Sequence, residues 1–236
     1  QIRIDVVKLE PIETQERLYV RVARRIAGLV SSGEVSAGDK LPSERDLAEM
    51  LQVSRPSIRE AMIALEVSGV IEVRTGSGIY VADQSRQPAV VADEGIGPFE
   101  ILEMRLLIEP ETCALAAERI SDDQLEQLRK IYNEMGRTSG TSEVEAFDSQ
   151  FHNLIAEAAE NTAIARTVSW LWVLRDQSEL SRGFHRLIIK EGVYPVLDEH
   201  TAIFNALKNR NPDEARKAMR EHLEAATASA AQHFLS

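Results

Sequence analysis

The chain has 236 residues, 44% of them apolar and 28% charged, with 27 Lys+Arg against 38 Asp+Glu and a net charge of −11. Two modest domains of ordinary globular composition fit those figures, and disorder does not. Cys113 is the only cysteine, no apolar run approaches the roughly 20 residues of a spanning helix, and no basic-then-apolar leader opens the chain, so a reducing cytoplasm is the expected location.

A strongly acidic balance argues at first against nucleic acid, because affinity for phosphate comes from lysine and arginine. The charge is unevenly spread: residues 1–84 hold 11 Lys+Arg against 13 Asp+Glu, and the remainder 16 against 25. A near-neutral first part leaves room for a local basic face.

Leu18, Val22, Ile26, Leu29 and Val30 recur at helical spacing, and Gly33 ends that stripe. Ser43 then offers an N-cap with acids in the first turn of a short helix through Leu47, Ala48 and Leu51. Ser54 caps a third helix, with Pro56 in its first turn and Ile58, Ala61, Met62 and Leu65 along one face up to Gly69. Two helices about three residues apart suit a helix-turn-helix. The β-prone runs 70–74 and 79–81, joined by Thr75-Gly76-Ser77-Gly78, add a hairpin and complete the order of a winged helix.

Residues 85–97, with Pro88, Gly95 and Gly97, read as a linker, and everything after Pro98 reads as helix. Pro110 should kink or split the long run 99–120. Ser121-Asp122-Asp123-Gln124 and Asn211-Pro212-Asp213-Glu214 are further helix starts. The expected architecture is mainly α: a winged helix-turn-helix over 1–84 and an antiparallel all-helical bundle over 98–236.

In a helix-turn-helix the start of the second helix meets the major groove, where arginine can donate two hydrogen bonds to guanine. Arg55 and Arg59 share a face there, with Ser54 and Ser57 beside them. Arg45 is a phosphate-contact candidate on the preceding helix, and Thr75 and Gly76 in the wing can approach the minor-groove wall. The alternative is that the arginines are surface charges paired with Glu44, Glu60 or Glu66. The stretch Gly38-Asp39-Lys40-Leu41-Pro42-Ser43-Glu44-Arg45, with Val53-Ser54-Arg55-Pro56-Ser57-Ile58-Arg59-Glu60-Ala61 and Gly76-Ser77-Gly78, resembles the DNA-binding domain of the GntR superfamily. That resemblance implies operator contacts by Arg45, Arg55, Arg59, Thr75 and Gly76. Pro56 and Thr75 fall where members of the family vary, which leaves the base preference open. A dimer on palindromic double-stranded operator DNA is the expected assembly.

The second part carries different chemistry. Asp148 and His152 project from one face of a helix at four-residue spacing, while His200 and His222 fall within the apolar series of two later helices. Four buried polar groups without partners would be unfavourable, and a shared divalent metal would relieve that. Taken singly, each histidine is more often a core residue bonded to a backbone carbonyl than a ligand; His233 reads as surface of the tail. The spacing Asp-x-x-x-His, then Glu199-His200, then Glu221-His222-Leu223 resembles the metal site of the FadR-type ligand-binding domain, and this implies Asp148, His152, His200 and His222 as ligands. Their mixed nitrogen and oxygen donors suit zinc first, then nickel, manganese or iron.

The same resemblance implies that Arg105 and Asn161 line a cavity beside the metal, where arginine could clamp a carboxylate. Arg175, close to Trp170 and Trp172, is a further ligand-binding candidate, the tryptophans themselves reading as core. For Arg105 the alternative is a salt bridge to Glu109. Gly76-Ser77-Gly78-Ile79, Gly97-Pro98-Phe99-Glu100, Arg105 and Asp148-Ser149-Gln150-Phe151-His152 look most like the hexuronate-responsive regulators of the family. The expected function is a transcription regulator, a repressor controlled by a small carboxylate such as a hexuronate or a derived sugar acid. A metal-dependent hydrolase and a purely structural metal are the competing readings; no nucleophile, base or phosphate-loop motif supports the first.

Overall fold

The protein is described by a computed structural model covering residues 16–83 and 95–234. Residues 85–94 of the expected linker lie outside the described residues. The head comprises α1 (Leu18–Ser31), α2 (Glu44–Leu51), α3 (Arg55–Val67), β1 (Ile71–Arg74) and β2 (Gly78–Val81). The serines expected as caps do that work: Ser43 Oγ accepts from the Asp46 N–H at 3.3 Å and Ser54 Oγ from the Ser57 N–H at 3.4 Å. Between them Gln52 closes α2 in the left-handed region at φ 53°.

β1 and β2 pair antiparallel, with Ile71 opposite Val81 and Val73 opposite Ile79. Gly76, at φ +74°, supplies the turn conformation that a side chain would disfavour. The segment before α2 lies along the same hairpin, because the Leu41 N–H donates to Ile79 O at 2.8 Å and the Val81 N–H to Asp39 O at 2.9 Å.

The second part is α4 (Pro98–Arg119), α5 (Asp122–Arg137), α6 (Val144–Ala158), α7 (Thr162–Gln177), α8 (Glu179–Lys190), α9 (Leu197–Lys208) and α10 (Pro212–Gln232). No strand occurs here among the described residues. Contrary to the expected split, α4 runs unbroken through Pro110. The helix packs against α6, α7 and α10, and that burial holds together a turn that lacks one backbone hydrogen bond. Its far half enters a core with Leu128 and Met135 of α5, Phe151 and Ile155 of α6, Ile203 and Leu207 of α9 and Leu223 of α10.

A second core crosses from the head into the bundle. Ile58, Met62 and Leu65 of α3 share it with Phe99 of α4, Leu180, Phe184 and Ile188 of α8, and Phe234. Phe184 lies 5.8 Å from both Phe99 and Phe234. Each fully buried side chain of this kind contributes roughly 1.5–3 kcal/mol, so the head is docked rather than tethered.

Two sequence expectations are overturned here. His233 is not tail surface: it is buried, with Nε2 2.7 Å from Glu66 of α3 and Nδ1 3.0 Å from Glu191 after α8. Periodicity could not show this, since both partners are distant in sequence. Trp170 is not core; it stands half exposed on α7, whereas Trp172, two residues on, is buried.

Candidate metal centre and nucleic-acid interface

Helix periodicity brings Asp148 and His152 to the inner face of α6, and α9 and α10 deliver His200 and His222 opposite them. All four are buried, and one ligand atom from each lies within 4.8 Å of the others. The arrangement outside this cluster decides what it can do. His152 Nδ1 is 2.6 Å from Glu109 Oε2, His200 Nδ1 is 2.9 Å from Val196 O, and His222 Nδ1 is 2.8 Å from Glu199 Oε2. Each imidazole therefore spends its Nδ1–H outward and turns Nε2 toward the cluster, the arrangement by which outer acceptors fix a metal-binding tautomer.

The inner nitrogens lack sufficient partners. His152 Nε2 is buried without a hydrogen bond among the described residues, its nearest carboxylate oxygen, on Asp148, being 3.6 Å away. His200 Nε2 and Asp148 Oδ1 are 2.8 Å apart. Burial pushes His222 down to about 4, also opposed by the neighbouring His200 and His152, so its lone pair is free at neutral pH. Burial disfavours the Asp148 carboxylate, but the nearby His152 and the hydrogen-bonded His200 prevail and hold it well below the usual range. Three imidazole nitrogens and one carboxylate oxygen are a set that a borderline divalent ion satisfies.

A cavity of about 140 Å³ opens against Asp148 and His222. Its wall includes Arg105, Arg175, Ser181, His185, Tyr194 and Glu199. Arg105 realises both readings of it, since it lines the cavity and also binds Glu109 with Nε at 2.6 Å. The Arg105 and Arg175 guanidiniums lie 4.2 and 4.5 Å from the Trp172 ring centroid, an indole between two cations. Asn161 is not brought to this cavity. It caps α7, accepting from the Ala163 and Ile164 N–H groups at 3.1 and 3.3 Å, and is not among the residues that line the cavity beside the cluster.

Ser181, His185 and Glu109 escaped the sequence reading. Ser181 Oγ is buried without a hydrogen-bond partner among the described residues, and His185 Nε2 is 2.6 Å from Glu145. In sequence Glu109 reads only as a partner for Arg105; a carboxylate among Ile108, Pro110 and Cys113 is the available hint.

At the head, Arg45 is exposed, with Asp46 at 3.6 Å. Arg55 and Arg59 both donate through Nε to Glu44, each at 2.6 Å, so the pairing foreseen as the alternative is present through Glu44. Arg55 remains half exposed, while Arg59 is largely covered and its guanidinium lies 5.2 Å from the Phe99 ring centroid. Ser54 and Ser57 hydroxyls are 2.9 Å apart at the exposed start of α3. In the wing, Thr75 Oγ1 donates to Glu191 at 3.3 Å beside Gly76.

Two family models match separate stretches of the chain. Residues 18–81 match the bacterial regulatory proteins of the gntR family, and residues 100–225 match the FCD domain. The chain is 34% identical over 215 residues to the Uxu operon regulator of Haemophilus influenzae, covering 88% of this chain and 80% of that one. It is 35% identical over 218 residues to the Exu regulon transcriptional regulator of Escherichia coli, covering 90% and 84%. Among solved structures it resembles a Streptococcus agalactiae GntR protein at 30% identity and a TM-score of 0.45, over 89% of this chain and 99% of that one. No described helix is long and apolar enough to cross a membrane.

Proposed function

Because the chain belongs to the GntR family of bacterial regulatory proteins, with an FCD domain behind its DNA-binding head, we propose that it is a repressor whose operator affinity is set by a sugar acid bound at a metal. In this reading residues 1–84 are the DNA-reading head, 85–97 the linker and 98–236 the sensing and dimerising domain. Arg45, Ser54, Arg55, Ser57, Arg59, Thr75 and Gly76 face the operator, and Asp148, His152, His200 and His222 hold a divalent ion, zinc before nickel, manganese or iron. The ion supplies a Lewis-acidic centre with coordination positions left for oxygen donors.

One observation carries the sensor reading: the cavity touching Asp148 and His222 is also walled by Arg105 and Arg175. A carboxylate and its neighbouring hydroxyl can complete the ion's coordination while a guanidinium takes the charge. A cavity of about 140 Å³ suits a compact acid and not a fatty acyl chain. The relatives named as Uxu and Exu regulators, with the sequence resemblance to hexuronate-responsive members, support a hexuronate or an aldonate derived from one. Leu107 on α4 and Trp170 on α7, both large, apolar and exposed on neighbouring helices, support a dimer made through this face.

The trial is a thermal-melting titration of metal-loaded and chelator-treated protein with galacturonate, glucuronate, fructuronate and tagaturonate, beside lactate and sialate. A uronate should raise the melting temperature only when the metal is present, as binding to the native state requires. A shift with lactate or sialate alone would overturn the hexuronate assignment and leave the metal sensor standing. No shift with any acid would overturn the sensor.

A further inference from the structure

α4 lacks a cap of its own. Gly97 stands at its N-cap position in an extended conformation, with φ −77° and ψ 156°, and has no side chain to accept the first N–H groups of the helix. The acceptor comes from the other domain. Glu60, on α3, places Oε1 2.9 Å from the Phe99 N–H and 3.2 Å from the Glu100 N–H. These are the second and third positions of α4, the two donors a capping serine or aspartate would satisfy. Glu100 returns the other half of the motif, accepting the Gly97 N–H at 3.1 Å. A capping box is thus split between two domains.

Gly97 is required for this. A Cβ there would collide with the Glu60 carboxyl carbon, so the glycine gives up its own capping ability to let the foreign carboxyl in. The arrangement is not the most stabilising one available. Glu60 is buried, and its Oε2 has no hydrogen bond among the described residues. A serine at position 97 would cap α4 locally without leaving such an atom.

We infer that Glu60 is a positioning residue that locks recognition helix α3 to α4, so that α4 and the DNA-reading face move together. Two neighbours in sequence divide the work. Arg59 faces the proposed operator surface and covers Phe99, while Glu60 grips the backbone of Phe99 and Glu100. Further along the same rod, Arg105 lines the cavity and Glu109 holds His152. From Phe99 to Glu109 is about 15 Å of helix at 1.5 Å per residue, with no loop between cap and cluster. The inference rests on the reading of α3 as the DNA-reading helix, and not on the identity of the acid.

Coupling of this kind is reciprocal: if α4 positions α3, a duplex bound at α3 must alter the start of α4. The test is amide hydrogen exchange of the peptide spanning residues 97–102 in the full chain, free and bound to a duplex selected for wild-type binding from a random pool. In wild type the duplex should change exchange at Phe99 and Glu100 by about fivefold or more, and Glu60→Gln, which keeps the carbonyl acceptor, should behave alike. Glu60→Ala should fray the first turn. Glu60→Ala combined with Gly97→Ser should restore slow exchange through a local cap, yet show no response to the duplex. A duplex response in that double variant equal to wild type would reduce Glu60 to a stabilising cap and overturn the inference, as would a wild type that binds the duplex without a change at Phe99 and Glu100. If no uronate shifts the melting curve while these exchange results hold, the hexuronate reading fails and the role of Glu60 stands.

Discussion

Two buried histidine sites in this molecule use the same side chain to opposite ends. At the cluster of His152, His200 and His222, each Nδ1 is held by an outer acceptor, and one ligand atom from each ring and from the Asp148 carboxylate lie within 4.8 Å of one another. At His233 both nitrogens are satisfied, one by Glu66 of the head and one by Glu191 of the bundle. Burial alone does not separate a metal ligand from a structural histidine. The surroundings of the second nitrogen do: at the cluster it faces other imidazoles and the single Asp148 carboxylate, donors that one ion can share, and at His233 it has a carboxylate of its own that ties two elements together.

The contrast is broken most sharply by removing one imidazole from each site. His200→Ala should reduce bound metal from about one ion per chain to near zero after dialysis, and should cost the metal-dependent stability with it. His233→Gln should keep the full metal content. Elemental analysis of both variants after zinc reconstitution gives the answer, and equal metal content in the two would erase the distinction.

A smaller effect sharpens the role of the outer acceptors. Glu109→Gln leaves all four ligands in place but removes the carboxylate that orients His152, and metal affinity should fall about 10- to 100-fold. Competition with a chromophoric chelator measures this. An unchanged affinity would mean that Glu109 serves Arg105 alone.

The smallest effect lies at His233 and depends on pH. Burial alone would lower its pKa, but Glu66 and Glu191 outweigh burial and raise it above 6.5. A histidine raised in the folded state stabilises fully below its unfolded pKa, and that stability is lost as pH rises through the folded value. The melting-temperature gap between wild type and His233→Gln should therefore be widest near pH 6 and narrow toward pH 9. A gap independent of pH would show that the ring is held by packing against Phe184 and Phe234 rather than by charge.

These sites also mark how far the sequence could be read. The head was legible because its signals are local: Ser43 and Ser54 cap the helices they precede, and Gly76 turns the wing. The metal quartet was legible because Asp148 and His152 sit four apart and His200 and His222 interrupt apolar stripes. His233 interrupts no such stripe, and its partners, Glu66 and Glu191, lie 167 and 42 residues away. Glu60 reads in sequence as a surface partner for arginine, since nothing near it says that a second domain brings two N–H groups to its carboxyl. Asn161 followed the opposite course, being assigned to the cavity by resemblance while its geometry makes it a cap. Pro110 reads as a helix breaker until the packing of α4 against α6, α7 and α10 is taken into account.

The most direct measurement of the central claim is operator affinity at four corners: metal-loaded and chelated protein, each with and without saturating uronate, at fixed salt because phosphate contacts depend on it. The expected result is that the uronate changes affinity about tenfold or more in the metal-loaded protein, a coupling of about 1.4 kcal/mol, and leaves the chelated protein unaffected. An equal response with and without metal, or no response to any uronate in protein that binds the operator, would contradict it.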